Sequence, residues 1–316
     1  MDTYLVTGGA GFIGSHIADE LVRRGESVRV LDNLSTGKRE NLAGVNEQIE
    51  FREGDIRNLE IVRCAMQGVD YVLHQAALPS VPRSIADPMA SHEVNVTGTL
   101  NVLIAARDAQ VKRVVFASSS SVYGDNPTLP KVETMSPRPR SPYAVSKLSA
   151  EQYCQVFTQV YGLETVSLRY FNVFGSRQDP YSHYSAVIPK FIIAALNDEA
   201  IGINSDGLQS RDFTYVSNVV NANLRACKAA SVAGQVMNVS CGERYTLLDL
   251  IMELESLLGK SIGRLHGPER VGDVKHSQAD IGQACQLLEY VPLVKFNEGL
   301  ARTVDWYRNF IVNSNA

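Results

Sequence analysis

Short apolar and β-branched runs alternate with longer, helix-length segments through the first half of the chain. The short runs lie at residues 4–7, 28–31, 49–52, 71–73, 114–117 and 165–169, and the longer segments at 12–24, 59–66, 90–109 and 143–161. The short runs show no alternation of polar and apolar residues, as expected of strands whose sheet is covered by helices on both faces. Strands that alternate with helices pair in parallel through right-handed crossovers. We therefore expect an α/β fold built on a doubly wound parallel sheet.

The pattern becomes less regular after residue 169. Loops rich in proline, glycine and polar residues lie at 175–185, 204–211 and 267–277, and they separate further helical segments at 187–196, 247–258 and 298–310. This indicates a second, smaller α/β lobe that returns the chain to the sheet domain at least once. We place the first domain at residues 1–171 and the second mainly at residues 172–316.

Charge and composition exclude several classes of protein. Thirty basic residues against thirty-four acidic ones give a net charge of −4, and no long basic run is present. Neither nucleic acid nor an anionic membrane is therefore an expected partner. The sequence has no window of about eighteen uninterrupted apolar residues, so we expect no transmembrane helix.

The cysteines and histidines point to neither a disulfide framework nor a metal site. The five cysteines are odd in number and include no Cys-x-x-Cys pair, which favours reduced thiols in a cytoplasmic protein. The first predicted strand starts at residue 4, so we expect no signal peptide. The six histidines lack the His-x-His and His-Glu-x-x-His spacings of metal ligands, so we expect no bound metal.

A glycine-rich turn separates the first predicted strand from the first predicted helix. Gly8, Gly11 and Gly14 have the spacing of a turn that brings free N–H groups at a helix N-terminus against a pyrophosphate. Asp32 ends the second strand, where a carboxylate can accept both hydroxyls of an adenosine ribose and would repel a 2′-phosphate. Alone, the turn could serve plain chain reversal and Asp32 could be a turn residue. Together they predict NAD rather than NADP as the cofactor.

A tyrosine and a lysine share one face of the predicted helix at 143–161. Tyr143 is followed four residues later by Lys147, a spacing that brings two side chains together on a helix. A nearby ammonium favours phenolate over phenol, and a positive nicotinamide ring would lower the pKa of the phenol further. Such a tyrosine can accept a proton from a hydroxyl at neutral pH. The helix begins at Ser141-Pro142, after a strand that ends in a run of serines, so the pair lies where this type of sheet binds ligands.

These motifs together resemble the extended short-chain dehydrogenase/reductase family, and in particular its UDP-hexose 4-epimerases. The resemblance rests on the glycine turn, Asp32, the Ser-Ser-Ser-Ser-Val-Tyr-Gly run at 118–124 and Tyr-Ala-Val-Ser-Lys at 143–147. It extends to Arg-Tyr-Phe-Asn-Val-Phe-Gly at 169–175, Arg-Asp-Phe-Thr-Tyr at 211–215 and Arg-Val-Gly-Asp at 270–273. It implies a Rossmann-like NAD-binding domain, a UDP-sugar substrate and tightly held NAD.

The resemblance also implies a role for particular residues. The catalytic group comprises Ser119, Tyr143 and Lys147. The cofactor site comprises Gly8, Gly11, Phe12, Ile13, Gly14, Asp32, Asn33, Ser35, Thr36, Gly37, Asp55, Ile56, Gln75, Ala76, Ala77, Asn95, Tyr143, Lys147 and Tyr170. The UDP-sugar site comprises Ser80, Ser119, Ser120, Ser121, Tyr143, Asn172, Val187, Arg211, Arg270, Asp273 and Ser277. Arg211 and Arg270 would clamp the diphosphate, since guanidinium groups match phosphate oxygens in pairs.

Three other functions fit these residues less well. The sugar-nucleotide 4,6-dehydratases of this family carry an Asp-Glu pair at the positions of Ser120 and Ser121. The two serines of this chain cannot supply the acid and base that elimination of water needs. Uronate enzymes place a carboxylate-binding arginine near the position of Asp179, which disfavours an acidic sugar. A nucleotide-sensing binding module would not need Ser119, Tyr143 and Lys147, which are all present.

One position bears on the choice of sugar. The resemblance implies that epimerases restricted to glucose and galactose carry a tyrosine at the position of Ser277, whose ring fills the space next to C2 of the sugar. A serine at this position leaves room for an N-acetyl group. We expect interconversion of UDP-N-acetylglucosamine and UDP-N-acetylgalactosamine, with UDP-glucose and UDP-galactose as weaker substrates. The alternative is a 4-epimerase of UDP-glucose and UDP-galactose or of UDP-uronates. Pro79, beside Ser80, could narrow the pocket. Relatives commonly dimerise through two helices, which implies a homodimer through residues 90–109 and 143–161.

Overall fold

A computed structural model of the protein describes residues 1–181, 186–268 and 275–314. Its strands are β1 (Thr3–Thr7), β2 (Ser27–Asp32), β3 (Ile49–Glu53), β4 (Tyr71–His74), β5 (Arg113–Ser119), β6 (Thr165–Tyr170), β7 (Val173–Phe174), β8 (Ile201–Asn204), β9 (Ser210–Arg211), β10 (Thr214–Tyr215), β11 (Val236–Val239), β12 (Tyr245–Thr246) and β13 (Arg264–Gly267). Its α-helices are α1 (Phe12–Arg23), α2 (Leu59–Met66), α3 (Val81–Ala86), α4 (Pro88–His92), α5 (Thr99–Asp108), α6 (Pro142–Tyr161), α7 (Val187–Leu196), α8 (Val216–Lys228), α9 (Leu247–Leu258), α10 (Gly282–Leu288) and α11 (Phe296–Ser314).

Seven parallel strands form the central sheet, in the order β11-β6-β5-β4-β1-β2-β3. One face packs on α1, α8 and α10 through a core that includes Ile17 and Val219. The other face packs on α2, α5 and α6 through a core that includes Val62 and Phe157. The predicted doubly wound sheet is confirmed. The strand order reverses between β1 and β4, and folds of this type bind ligands at the carboxyl ends of the strands beside such a reversal.

A second lobe is built mainly from residues after β6. Its own core joins α7, α9 and α11 with residues such as Phe174 and Phe213. Pairs of short strands, β7 with β10, β9 with β12 and β8 with β13, brace this lobe. β11 comes from beyond residue 171 yet pairs with β6 in the central sheet, because the chain returns to the first lobe through α8. The boundary at residue 171 stays a prediction.

Most predicted segments match the observed elements to within a few residues, and two differ in kind. The predicted helix at 90–109 is divided into α4, a π-helical segment Glu93–Gly98 and α5. Within that segment, the Asn95 side chain turns away to accept a hydrogen bond from the backbone nitrogen of Leu78 at 2.7 Å. The predicted loop at 204–211 ends in β9, which pairs with β12 from thirty-five residues further along. A pairing of this kind is determined by the tertiary fold and leaves little trace in a local pattern.

Candidate active site

A cavity of about 700 Å³ opens at the carboxyl ends of β1, β4, β5 and β6, between the sheet and the second lobe. The glycine turn forms one end and Arg211 and Ser277 belong to the wall contributed by the second lobe. Tyr143 and Lys147 on α6 also line it. The volume lies in the usual range for a site that encloses small molecules.

The glycine turn packs so closely against the neighbouring backbone that Gly8 and Gly14 leave no space for a side chain. A Cβ atom on Gly14 would lie 2.2 Å from the carbonyl oxygen of Gly8, and one on Gly8 would lie 2.7 Å from the backbone of Ala76. Gly8 also has a φ of 66°, in the left-handed region that glycine adopts without steric cost. Helix α1 starts at Phe12, and its N-cap residue is Gly11, which has no side chain to cap the first N–H groups. This cradle therefore fits a pyrophosphate.

Asp32 lies at the end of β2 beside the turn. Its Oδ2 accepts a hydrogen bond from the backbone nitrogen of Ala10 at 2.9 Å, and its Oδ1 accepts one from Leu34 at 2.8 Å. Burial raises the pKa of the carboxyl group, while the two backbone hydrogen bonds act in the opposite direction. Because each carboxylate oxygen has a second lone pair, both can still accept a hydroxyl. The residues of this end of the cavity therefore fit a dinucleotide.

Most of the residues that the sequence predicted for the site line the cavity. They are Gly8, Gly11, Phe12, Ile13, Gly14, Asp32, Asn33, Ser35, Thr36, Asp55, Ile56, Gln75, Ala76, Ala77, Ser80, Ser119, Ser120, Ser121, Tyr143, Lys147, Tyr170, Asn172, Arg211 and Ser277. Arg270 and Asp273 lie outside the described residues. The structure thus brings together residues from both lobes that are up to 269 positions apart in sequence.

Three predicted residues lie beside the cavity and not on its wall. Gly37 lies against Asp32, since a Cβ atom on it would be 3.0 Å from Oδ2 of that residue. Asn95 is buried and binds Leu78, which does line the cavity, and its Nδ2 donates to Ser146 at 3.0 Å. Val187 starts α7 and packs on the core of the second lobe, directly after Ala186 on the cavity wall. Direct contact of these three residues with a ligand stays a prediction.

Tyr143 and Ser119 meet where α6 passes the end of β5. Ser141 caps the helix by accepting a hydrogen bond from the backbone nitrogen of Ala144, which fixes the first turn that carries Tyr143. A hydrogen bond from Ser119 lowers the pKa of the Tyr143 phenol, but the larger effect of burial raises it above its ordinary value. In the protein alone the phenol is therefore protonated at neutral pH. The expected lowering of the Tyr143 pKa by Lys147 is therefore wrong for the protein alone, in which burial and the hydrogen bond with Ser119 are the causes of the shift.

Lys147 lines the cavity but is buried. Its ammonium donates a hydrogen bond to the carbonyl oxygen of Ala117 at 2.9 Å and lies 5.0 Å from the centre of the Phe116 ring. Burial lowers its pKa to about 8. A lysine with this pKa is largely charged at pH 7, so a positive charge is held one helical turn from Tyr143.

The four serines at the end of β5 have different partners. Ser118 donates to Oε2 of Glu151 at 2.6 Å and takes part in a buried network. Ser119 accepts a hydrogen bond from the backbone nitrogen of Ser121 at 3.2 Å and starts a 3₁₀ turn. The hydroxyl of Ser121 is buried and has no hydrogen-bond partner within the described part of the chain. Because an unpartnered buried hydroxyl on a cavity wall is costly, Ser121 is suited to meeting a ligand.

The network under the serines was not anticipated from the sequence. Glu151 and Arg169 form an ion pair at 2.6 Å, with side chains 1% and 4% exposed, between α6 and β6. The guanidinium also lies 4.7 Å from the centre of the Tyr123 ring. Glu151 follows Lys147 by four residues, so the sequence places both on one face of the helix. Nothing in the local sequence indicates that Arg169, on the neighbouring strand, is the partner of Glu151. This pair holds the helix with Tyr143 against the strands that carry Ser119 and Tyr170.

In the second lobe, Arg211 and Ser277 are held side by side by backbone pairing. Arg211 donates to the carbonyl oxygens of Ser210 at 2.9 Å and Lys275 at 3.2 Å, and the backbone nitrogen of Ser277 donates to Ser210 at 3.0 Å. The buried Asp212 accepts hydrogen bonds from the backbones of Cys241 and Ala279, and burial raises its pKa to about 6. These contacts fix the two neighbouring segments that reach the cavity.

Asn172 connects this lobe to the end of β6. Its backbone has a φ of 34°, and its side chain donates to the carbonyl oxygen of Asp212 at 3.3 Å.

The described residues contain no cluster of three or more His, Cys, Asp or Glu side chains able to hold a metal ion. Among them no helix is both long and apolar enough to cross a membrane.

Comparison with known proteins identifies the family. The model of the NAD dependent epimerase/dehydratase family matches residues 4–240. A solved UDP-N-acetylglucosamine 4-epimerase from Methanobrevibacter ruminantium M1, in complex with UDP-N-acetylmuramic acid, is 42% identical, covers 98% of this chain and 99% of its own, and superposes with a TM-score of 0.94. A UDP-glucose 4-epimerase from Thermus thermophilus, in complex with NAD, is 40% identical with a TM-score of 0.89 and coverages of 97% and 99%.

A curated relative supports the same assignment. The UDP-glucose 4-epimerase of Mycolicibacterium smegmatis is 37% identical over 309 residues, which are 96% of this chain and 98% of the relative. The chain therefore belongs to the NAD dependent epimerase/dehydratase family. The predicted family and the predicted cofactor, NAD, are confirmed.

Proposed function

We propose that the protein interconverts UDP-N-acetylglucosamine and UDP-N-acetylgalactosamine by epimerisation at C4. The broader statement, that the chain is a UDP-sugar 4-epimerase that uses NAD, follows from its family and from relatives that carry this activity. The proposal adds the identity of the sugar and the roles of individual residues.

NAD would be held by the residues at the dinucleotide end of the cavity. The glycine turn and the first turn of α1 would bind the pyrophosphate, and Asp32 would bind the adenosine ribose. Bound there, NAD would supply reversible hydride transfer at C4 of the sugar, with no net oxidation over the reaction.

Tyr143 would be the general base. Its hydroxyl lies on the cavity wall in a hydrogen bond with Ser119, and this pair would remove the proton from the 4-hydroxyl of the sugar. Because burial raises the pKa of Tyr143, the reaction needs positive charge beside the phenol, and Lys147 supplies a fixed ammonium one turn away. Ser120 and the unpartnered hydroxyl of Ser121 would bind the sugar.

The second lobe would hold the UDP part firmly while the sugar turns. Arg211 and Arg270 would clamp the diphosphate, with Asn172 beside it, and Val187 and Asp273 would contact the uridine. A 4-keto sugar anchored only through its diphosphate can rotate and present its other face. Binding energy from the remote nucleotide thus keeps the intermediate from escaping.

The observation that carries the choice of sugar is the position of Ser277. This small side chain lies on the cavity wall, and its segment is hydrogen-bonded to Ser210 and Arg211, so its position relative to Arg211 is fixed. A tyrosine there would project an aromatic ring into the space that an N-acetyl group needs. The similarity to a solved UDP-N-acetylglucosamine 4-epimerase supports this proposal.

An acidic sugar is disfavoured by charge. Asp179 lines the same cavity, and its carboxylate lies 3.4 Å from the ammonium of Lys38. At the position where uronate enzymes are expected to carry an arginine, a uronate carboxylate would meet the carboxylate of Asp179, whose partner Lys38 is already engaged in an ion pair.

The proposal is tested by incubating the purified protein with UDP-glucose, UDP-galactose, the two N-acetylated sugars and UDP-glucuronate, and by separating the C4 epimers. We expect the highest kcat/KM for the N-acetylated pair. Ser277→Tyr should abolish that reaction and spare the reaction of UDP-glucose and UDP-galactose. Ser261→Tyr, at an exposed serine outside the cavity wall, is the control. An unchanged ratio of kcat/KM in Ser277→Tyr removes Ser277 as the gate, and no activity on UDP-N-acetylglucosamine refutes the proposed substrate.

A further inference from the structure

Residues 176–179 cross from the second lobe to the two elements that surround the dinucleotide end of the cavity. The carbonyl oxygen of Ser176 lies 3.0 Å from Nε2 of His16 on α1. Arg177 donates to Asp19, also on α1, at 2.6 Å. These two contacts join a loop of one lobe to the helix that follows the glycine turn of the other.

A third element takes part through Asp179. The ammonium of Lys38, in the loop that follows β2 and Asp32, lies 3.4 Å from its carboxylate. The backbone nitrogen of Lys38 in turn donates to the carbonyl oxygen of Ala10 at 2.9 Å, within the glycine turn itself. The segment is therefore tied to both sides of the dinucleotide cradle formed by Asp32 and the glycine turn.

The same segment is anchored at its back to the second lobe. The buried hydroxyl of Tyr307, on α11, donates to the carbonyl oxygen of Gln178, and the Gln178 side chain donates to Val173 at 3.3 Å. Arg177 has a φ of 65°, a left-handed conformation that a non-glycine residue keeps only where its surroundings impose it. Contacts on both sides thus hold residues 176–179 in one position.

The segment also forms part of the cavity wall. Arg177, Gln178 and Asp179 line the cavity together with Ser35 and Thr36 from the loop before Lys38. Nη1 of Arg177 and Oε1 of Gln178 are buried and have no hydrogen-bond partner among the described residues. A strained residue and two unpartnered buried polar atoms, all on one cavity wall, point to a segment shaped for a ligand and not only for lobe packing.

We propose that residues 176–179 form a strap that retains NAD, and that the ion pairs Arg177–Asp19 and Lys38–Asp179 set the rate at which the cofactor leaves. For NAD to be released, the strap must separate from α1 and from the loop after β2, which breaks both pairs. An epimerase regains its cofactor unchanged after every turnover, so slow release carries no catalytic cost. The strap therefore keeps one NAD molecule in place through many turnovers.

The test measures exchange of bound NAD in the holoprotein, by loading it with isotopically labelled NAD and following loss of label in excess unlabelled NAD. We expect Arg177→Gln and Asp19→Asn each to exchange NAD about tenfold faster than the unchanged protein, because a partly buried charged hydrogen bond is lost. Lys38→Met should give a smaller increase, since that pair is more exposed.

Two further variants separate the effect of the strap from a direct contact between Arg177 and NAD. The charge exchange Asp19→Arg with Arg177→Asp should return the rate of release toward that of the unchanged protein. Glu20→Gln, which alters an ion pair of α1 that does not touch the strap, is the matched control and should leave the rate unchanged. If Arg177→Gln speeds exchange but Asp19→Asn does not, Arg177 acts on NAD directly and the strap is overturned. Unchanged exchange in both variants, or complete exchange within the mixing time in the unchanged protein, overturns it as well.

Discussion

The ammonium of Lys147 donates its hydrogen bond to the carbonyl oxygen of Ala117, at 2.9 Å, and so binds α6 to the strand that ends in Ser119. This contact holds the strand end and the first turn of the helix together, where the hydroxyls of Ser119 and Tyr143 meet. The lysine thus has two effects. It places a positive charge on the residue one helical turn after Tyr143, and it holds the helix against the strand that ends in Ser119.

Tyr143→Phe is expected to keep the fold and the bound NAD but to lose epimerisation by at least about 10² to 10⁴-fold, the usual contribution of a general base. Lys147→Met should also be inactive, because it removes both the charge and the contact with Ala117. The measurements are kcat on the best UDP-sugar and NAD content after purification. Tyr153→Phe, on the exposed side of the same helix, is the control. Turnover near that of the unchanged protein in Tyr143→Phe would rule out this mechanism.

Asp32→Ala is expected to narrow the preference for NAD over NADP. The carboxylate would repel a 2′-phosphate. Its removal should therefore reduce the ratio of the Kd for NADP to the Kd for NAD by about tenfold, which corresponds to about 1.4 kcal/mol. The variant also loses the acceptors of Ala10 and Leu34, so we expect a lower free energy of unfolding, by about 1 to 3 kcal/mol.

Calorimetric titration of both dinucleotides into cofactor-free protein measures this ratio. Glu47→Ala, at an exposed acidic residue of the same domain, corrects for a general change of charge. A ratio that stays the same in Asp32→Ala would show that another group excludes the 2′-phosphate.

The features that the sequence predicted correctly are those encoded locally. The glycine turn, the end of β2 at Asp32 and the four-residue spacing of Tyr143 and Lys147 each lie within one turn or one element. Their neighbours in space could be inferred because parallel strands bring their carboxyl ends to one edge of the sheet.

The features that the sequence did not predict depend on partners that are distant along the chain. Arg177 meets Asp19 across 158 positions, and neither residue is unusual in its local sequence. Lys131 is almost fully buried on the cavity wall, where its ammonium donates to the carbonyl oxygen of Thr128 at 2.9 Å. A lysine in a polar loop is normally expected to be exposed, since burial becomes visible only when a second segment covers it.

Stability at acid pH is expected to depend on His74. The ring is fully buried between the hydroxyls of Thr7 and Thr99, at 2.6 and 3.0 Å. Burial, with a smaller effect of Lys147, lowers its pKa to about 3, whereas in the unfolded chain the pKa is about 6.5. Between these values the unfolded chain binds a proton that the folded protein does not. The contribution of His74 to the free energy of unfolding therefore falls as the pH falls from 6.5 toward 3, by about 2 kcal/mol between pH 7 and pH 5.

Urea unfolding of the unchanged protein and of His74→Asn at pH 7, 6 and 5 measures this dependence. His74→Asn should be less stable at pH 7, and the difference between the two proteins should shrink toward pH 5, since only the unchanged protein loses this contribution. His92→Asn, at an exposed histidine, should keep the pH dependence of the unchanged protein. A stability difference for His74→Asn that is constant with pH would contradict the assignment.

The homodimer expected from the sequence has a candidate surface on α6. Val145, Tyr153, Val156 and Val160 are between 39% and 65% exposed and recur at helical spacing along one side of this helix. Ile85 and Met89, on the adjoining α3 and α4, are 65% and 66% exposed. The predicted partner segment at 90–109 contributes less, because α5 carries no exposed large apolar side chain. An apolar surface that spans several elements is typical of a protein–protein interface.

Val156→Glu is expected to convert the expected dimer to a monomer. Pairing about a two-fold axis would bring the same surface of α6 in both chains together, so one carboxylate from each chain would be buried in the interface. Sedimentation velocity or light scattering after size exclusion measures the mass, which should fall from twice 34.7 kDa to 34.7 kDa. Met252→Glu, at a methionine 53% exposed on α9, introduces the same charge on another apolar residue and should leave the dimer intact. A monomeric unchanged protein, or equal dissociation of both variants, would show that α6 does not form the interface.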